Sequence, residues 1–409
     1  MEDAELVVVG AGAAGLMAAI WAGRSGRPAV VLDGARVLGA KILVSGGGRC
    51  NVTHDHVDER DYAGSSPAAI RRVLRRLDVP RTIEFFADLG VALKREETGK
   101  LFPVTDQART VLDALLTGAR DVGAELRHPW RVEGIERVEG GGYRVRAEQG
   151  DLLARRVILA TGGRSLPRSG SDGVGLAMAE ALGHGSTPHL VPALVGLTVA
   201  EGCFVRELSG LATNARLEVR SGSGRRLHAL TGATLCTHFG LSGPGPMDIS
   251  RYWQLALLDD PGATLVVSWL PEETPEALDG ALQGLGGTSV SRHLGQRLPA
   301  RLARALCALA EVDPNATGHT LRREERRALV RAVLETPLPV TGTRGWSNAE
   351  ATAGGVPLTE VQLDTMESRV APGLFLCGEV LDVDGRIGGY NFQWAWASGY
   401  VAGVGAASG

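Results

Sequence analysis

The chain has 409 residues, of which 22% are charged and 56 are glycine, with a formal net charge of −3. That length leaves room for about two or three domains, and the near-balanced charge excludes a protein that holds nucleic acid by bulk positive potential. Cys50, Cys203, Cys236, Cys307 and Cys377 are odd in number and contain no CxxC pair, which excludes a disulfide framework and a structural zinc and points to reduced thiols in the cytoplasm.

The first element is "AELVVVGAGAAGLMAAIWAG". Its uncharged run from Leu6 to Gly23 is long enough to resemble a membrane span. The preceding "MEDAE" is acidic where a targeting segment needs basic residues, so no signal and no membrane partner is expected. A short β-branched run followed by Gly10, Gly12 and Gly15 and an Ala-rich stretch reads instead as strand, G-x-G-x-x-G turn and helix. Gly10 permits the turn, Gly12 lets a pyrophosphate approach the backbone, and the helix N-terminus attracts the phosphates. A second buried strand, "PAVVLDGA", ends in Asp33, placed to accept hydrogen bonds from an adenosine ribose. FAD and NAD share that half of the molecule.

Next comes "KILVSGGGRCN", Lys41 to Asn51, which admits three readings: an anion cradle, a reactive thiol, or a flexible turn. Lys41 and Arg49 would lower the pKa of a neighbouring thiol, but Cys50 has no partner cysteine nearby, and packing is its better reading. Arg49 is the stronger functional candidate, for neutralising a reduced cofactor or gripping a substrate carboxylate. His54 and His56 lack a third metal ligand and read as solvent-exposed loop histidines, so no metal is expected.

In "PAAIRRVLRRLDVPRTIEFFADLG", Ile70, Val73, Leu74 and Leu77 share one helix face, and the intervening arginines read as a solvated face rather than an RNA contact. "GKLFPVTDQARTVLDALLTGAR" reads as a loop with Phe102 and Pro103, then a helix from near Asp106. Short alternating strands follow through Val132. "RRVILATGGRSLP" then brings a strand, Val157 to Leu159, into a turn at Ala160, Thr161 and Gly162. From about residue 191 short strands such as "ARLEVRS" alternate with Gly and Ser, and His238 in "LCTHFGLSGPGPM" is a candidate acid or base. A helical stretch occupies about 272–337. No second complete G-x-G-x-x-G occurs, so no separate NAD domain is encoded. At the far end, a strand at Leu374 to Cys377 leads to Gly378 and Glu379, and a Gly-rich loop precedes a helix from about Tyr390. Glu379 would hold ribityl hydroxyls. Gly388, Gly389 and Tyr390 would face the region of a flavin where negative charge grows on reduction.

Six blocks, "GAGAAGLMAA", "KILVSGGGRCNVT", "ATGGRSLPRSGSDGVGLAMAEALGH", "THFGLSGPGPMDISRYW", "ATAGGVPLTEV" and "GLFLCGEVLDVDGRIGGYNFQWAWASG", together resemble the bacterial NAD(P)/FAD-dependent oxidoreductase family that includes aminoacetone oxidase, relatives of which are linked to bile-acid reduction. The resemblance implies an α/β fold. A Rossmann-like FAD-binding domain, three-layered with a mostly parallel sheet, spans 1–190 and 343–409 and is interrupted by a β-barrel-like domain at 191–342. It also implies that Ala14, Lys41, Ser45, Gly46, Gly47, Gly48, Asn51, Val132 and Asn391 join the cofactor residues named above, and that the loop carrying His238 lies over the flavin. The expected activity is an FAD-dependent oxidoreductase acting on a small molecule, an amine among the candidates, with oxygen or a visiting NAD(P)H closing the cycle. An FAD-containing RNA-modifying protein and an NAD-dependent dehydrogenase remain the alternatives.

Overall fold

The computed structural model describes residues 2–408, which fall into two compact units, one comprising 2–192 and 350–408, the other 193–349. The second junction falls later than residue 343. After the strand Val340–Thr343, Arg344 N donates to Gly196 O and the guanidinium lies 4.6 Å from the Phe239 ring, which keeps 343–349 with the second unit.

The first unit is built on five parallel strands: β1 (Glu2–Val9), β2 (Val30–Leu32), β3 (Glu125–Arg127), β4 (Leu152–Leu159) and β5 (Leu374–Leu376), in the order β5-β4-β1-β2-β3. The apolar runs of β1, β4 and β5 are buried, as parallel strands covered on both faces require, while the edge strand β3 is partly exposed. The chain steps outward from β1 to β2 and β3, then returns to the other side of β1 as β4. Such a reversal leaves a crevice at the carboxyl ends of the central strands.

Helix α1 (Ala13–Arg24) packs against the long terminal helix α3 (Tyr390–Ala407); α2 (Ala40–Gly48) lies between them in sequence. α1 and α3 approach through small residues. A Cβ on Gly399 would lie 2.5 Å from Ala14 O, and one on Gly403 would lie 2.3 Å from Ala18 O. α3 is buried through Trp394, Trp396, Gln393 and Ser398, each with its polar atoms bonded.

The expected single helix face around residue 70 is split. Pro67–Leu74 and Val79–Asp88 are separate helices because Asp78 caps the second, accepting from Arg81 N at 3.1 Å, and Pro80 enters its first turn. Leu77 lies in the connection and is still buried. "KLFP", expected as loop, is the strand Lys100–Pro103.

In the second unit seven antiparallel strands run in the order Thr336–Leu338, Thr264–Ser268, Ala212–Arg220, Arg226–Thr237, Gly240–Ser242, Leu197–Val199 and Val340–Thr343. The first and last of these are separated in the chain by Pro339 alone, so one continuous segment serves both edges and the sheet closes like a barrel. Helices Pro275–Gln283, Val290–Leu294, Ala300–Leu309 and Arg323–Leu334 form the helical part.

Gly403→Val would force α1 and α3 apart. A loss of about 3 kcal/mol is expected, read as a lower denaturant midpoint in equilibrium unfolding.

Candidate cofactor site

Four segments meet at the carboxyl ends of the parallel strands. The turn after β1 is the tightest: Gly10 N donates to Leu32 O at 2.8 Å, and a Cβ on Gly10 would stand 2.5 Å from Ala160 O. A Cβ on Gly15 would fall 1.8 Å from Gly10 O, so helix and strand can approach this closely only without side chains. Gly12 differs, since nothing lies within 4 Å of its Cβ position. It is the N-cap of α1, no side chain caps that end and no acid occupies the first turn, so the helix presents its N–H groups to an open face. Asp33, just after β2, accepts from Ala11 N at 2.6 Å and Ala35 N at 2.7 Å. Its carboxylate therefore shapes the Gly turn and keeps lone pairs for a ribose. Val132 opens a strand beside this end, two residues after Trp130, whose N donates to Asp33 O.

α2 is helical only in its first turn. Ser45 is extended (ψ 148°), and Gly46, Gly47 and Gly48 have φ of 56°, 70° and 85°. Of the three, Gly47 alone has nothing within 4 Å of its Cβ position, while Gly46 packs on Phe102 and the Asn51 backbone. Ser45 Oγ donates back to Ile42 O, and Ser45 O accepts from Cys50 N. Asn51 is buried with its Oδ1 lacking a partner. Cys50 is fully buried, and burial pushes its thiol up to about 12 against a smaller opposing hydrogen bond with Ser45. It is therefore no thiolate at neutral pH. Arg49 lies over the Phe102 ring at 4.0 Å, bonds Glu96 at 2.6 Å and lies 3.6 Å from Asp106. Its charge is already matched by acids, which weakens the role expected for it.

Ala160, Thr161 and Gly162 follow β4. Ala160 N donates to Val9 O, and the Cβ position of Gly162 lies 2.8 Å from Ser171 Oγ and 3.9 Å from Lys41 Nζ. Thr161 Oγ1 and Ser171 Oγ are both buried without partners. Lys41 and Glu379, each expected to touch the cofactor, are bonded to one another at 2.6 Å. Gly378 is held by Trp394 Nε1, which donates to its O, and by Ser398 Oγ, which accepts from its N. Its Cβ position is 2.8 Å from Ala14 Cβ.

At the start of α3, Gly389 is an N-cap without a side-chain partner, and its Cβ position lies 2.7 Å from Thr53 C. Tyr390 stacks on His54 at 5.1 Å. His54 is thus not a free loop histidine: its two ring nitrogens sit 3.0 Å from His56 O and Thr98 O. Gly388 lies beside this stack, its Cβ position 3.7 Å from His54 Cδ2. Beside it, Asn391 Oδ1 accepts from Gly385 N and its Nδ2 donates to Gly385 O, so its side chain secures the chain at the start of α3. His238 belongs to the second unit, where it is exposed in the turn between Arg226–Thr237 and Gly240–Ser242 and its carbonyl accepts from Arg206.

The residues fit FAD on three counts: the open face of Gly12 at an uncapped helix, the open left-handed Gly47, and three buried polar atoms left unpaired at Asn51, Thr161 and Ser171. Such atoms cost about 1–3 kcal/mol each when unsatisfied, which a ligand rich in hydroxyls and phosphates offsets. Gly10–Gly15 would hold the pyrophosphate, Asp33 the ribose, and Gly47 and Gly388–Tyr390 the flavin side. Ser165 and Thr352 were missed from sequence. Both stood within recognisable blocks, "ATGGRS" and "ATAGG", but only their long-range bonds to Glu379 reveal them. Among the described residues no group of three His, Cys, Asp or Glu is arranged to hold a metal, and no helix is long and apolar enough to cross a membrane.

A family model described as "HI0933-like protein Rossmann domain" matches residues 4–405. The chain is 38% identical over 406 residues to a 3-dehydro-bile acid delta(4,6)-reductase of Clostridium scindens, covering 98% of each. It is 32% identical over 405 residues to a ribosomal RNA dihydrouridine synthase of Escherichia coli, covering 98% of this chain and 97% of that one. Among solved structures, a 3-ketosteroid-delta4-(5alpha)-dehydrogenase from Rhodococcus jostii RHA1 aligns with 100% of this chain and 97% of its own at 18% identity, with a TM-score of 0.48.

Two outcomes follow from this geometry. Gly47→Val, strained at φ 70° and filling the open face, loses retained flavin absorbance through a desalting column, while Cys50→Ser keeps it. In the native protein at pH 8, Cys50 resists alkylation by iodoacetamide, read by peptide mass spectrometry, because a thiol held at about 12 is almost wholly protonated there.

Proposed function

The chain belongs to the HI0933-like family, an FAD-dependent Rossmann oxidoreductase family, and from that premise we propose that it is a reductase of carbon–carbon double bonds conjugated to a carbonyl. The observation that carries this reading is the chemistry common to the relatives' names. Saturating the 4,6 double bonds of a 3-oxo bile acid and making dihydrouridine both add a hydride and a proton across a C=C bond conjugated with a carbonyl. That shared reaction speaks for reduction rather than for amine oxidation.

FAD, when bound, supplies the two-electron transfer between a nicotinamide reductant and the substrate. The protein's part is to bind and orient. The uncapped N-terminus of α1 faces the open side of Gly12, and Asp33 keeps free lone pairs. The start of α3, uncapped at Gly389, offers the positive end of its dipole where negative charge would collect. With no second complete dinucleotide motif, NAD(P)H would visit the same open face as the substrate.

A free small molecule is the favoured substrate. A uracil within ribosomal RNA is the second reading, favoured by the 32% identical relative. Against it, the arginines of the helix Pro67–Leu74 are engaged: Arg71 with Glu59 and Arg72 with Asp364.

Purified protein should be yellow and should bleach with NADPH or NADH without oxygen, then regain colour on adding a conjugated enone such as a 4-en-3-one steroid, with the saturated ketone as product. Colour restored instead by ribosomal RNA, with dihydrouridine formed, would establish the second reading. Restoration only by air would overturn both.

A further inference from the structure

Lys41 and Glu379 are 338 residues apart in the chain and share one polar network. Glu379 accepts from Lys41 Nζ at 2.6 Å, Ser165 Oγ at 2.7 Å and Thr352 N at 2.9 Å. Lys41 also donates to Ser165 Oγ at 2.8 Å, and Thr352 Oγ1 accepts from Arg164 N and Ser165 N. Ser165 and Thr352 are fully buried, while the Lys41 and Glu379 side chains are 24% and 19% exposed. Burial is the largest influence on Glu379 and raises its pKa. The Lys41 charge and the hydrogen bonds from Lys41, Thr352 and Ser165 outweigh it, and the carboxyl is held below its ordinary value.

All of these contacts are between protein atoms. They join α2, the turn after β4, the segment at Thr352 and the turn after β5. The ligand role expected for both residues would leave them reaching into the crevice. Instead each has the other as its nearest counter-charge, and removing either would strand a partly dehydrated ion.

We propose that Lys41 and Glu379 form a charge-neutral latch that assembles the cofactor site before FAD arrives, which makes Lys41 a positioning residue rather than a cofactor ligand. The proposal rests on the FAD reading of this site. A latch closed without cofactor stabilises the apoprotein; a ligand does not. A neutral pair also leaves a charge of known sign when broken. Lys41→Met leaves one negative charge and Glu379→Gln one positive charge near the cofactor. Because reduction adds electrons to the flavin, the first disfavours the reduced form and the second favours it.

The test compares wild type, Lys41→Met, Glu379→Gln, the double variant and Ser165→Ala, each with and without FAD. In the cofactor-stripped proteins, Lys41→Met is expected to lower Tm by about 5 °C, and the double variant to regain much of that loss. FAD affinity, titrated by fluorescence quenching, should fall about tenfold in Lys41→Met. The midpoint potential should move down in Lys41→Met, up in Glu379→Gln, and little in the double variant or in Ser165→Ala, which keeps both charges. An unchanged apoprotein Tm in Lys41→Met would overturn the latch and make Lys41 a direct ligand. Potentials shifting in the same direction in both single variants would overturn it too. Should the wild type take up no flavin, the FAD reading itself fails, while the Tm comparison still decides whether the latch exists.

Discussion

The arrangement of the first unit depends on how closely β1 and β4 run side by side. Their parallel register, Val7 opposite Val157 and Val9 opposite Leu159, brings the turn at Gly10 against Ala160. With 2.5 Å between the Gly10 Cβ position and Ala160 O, a side chain there would pry apart the two central strands. Every other cofactor segment is measured from that contact. Asp33 reaches Ala11 because β2 pairs with β1, and Gly378 reaches Ala14 because β5 pairs with β4. The crevice is thus a consequence of strand order, and its lining is a consequence of register.

The terminal helix does the complementary work from behind. α3 carries polar side chains in a buried position: Gln393 bridges Thr53, Leu77 O and Thr82, Trp396 donates to Val52 O, and Trp394 with Ser398 fixes Gly378. Each bond ties the end of the chain to a segment more than 300 residues earlier or to the turn that carries Glu379. A buried polar group that lost its partner would cost more than the bond contributes, so these contacts specify where the segments sit. The Lys41–Glu379 pair extends the same logic to charge.

What could be read from the sequence was what the backbone dictates. Gly10 and Gly15 were legible because their Cβ positions are filled by backbone, Gly12 because an open face at a helix start follows from the same motif, and the strand ends because apolar runs stop at Gly or Asp. The helix around residue 70 was legible as a face but not as two helices, since Leu77 continues the periodicity across a break set by Asp78 and Pro80. Side-chain commitments were not legible. Nothing near Asn391 announces that its amide is spent on Gly385, and nothing near Lys41 announces Glu379. The first bond spans six residues and the second 338, and a side-chain bond of either length leaves no periodic mark. For the same reason His54 looked free until Thr98 and Tyr390 were placed beside it.

The same distinction governs what counts as chemistry. Ser368 Oγ lies 2.8 Å from His184 Nε2, and His184 Nδ1 lies 2.7 Å from Glu360, which is the spacing of a nucleophilic triad. Yet Ser368 is 2% exposed, and its Oγ accepts from Val370 N and Ala371 N. With two N–H groups already on its lone pairs, Oγ donates its hydrogen bond to His184 Nε2, so Nδ1–H donates to Glu360, and no lone pair of Oγ is left to attack a carbonyl carbon. The three residues tie the region after Val174–Ala181 to the hairpin beside β5. Spacing alone therefore identifies an active site poorly. The crevice at Gly12 and Gly47 is distinguished by the opposite condition, open backbone faces beside buried atoms that still lack a partner.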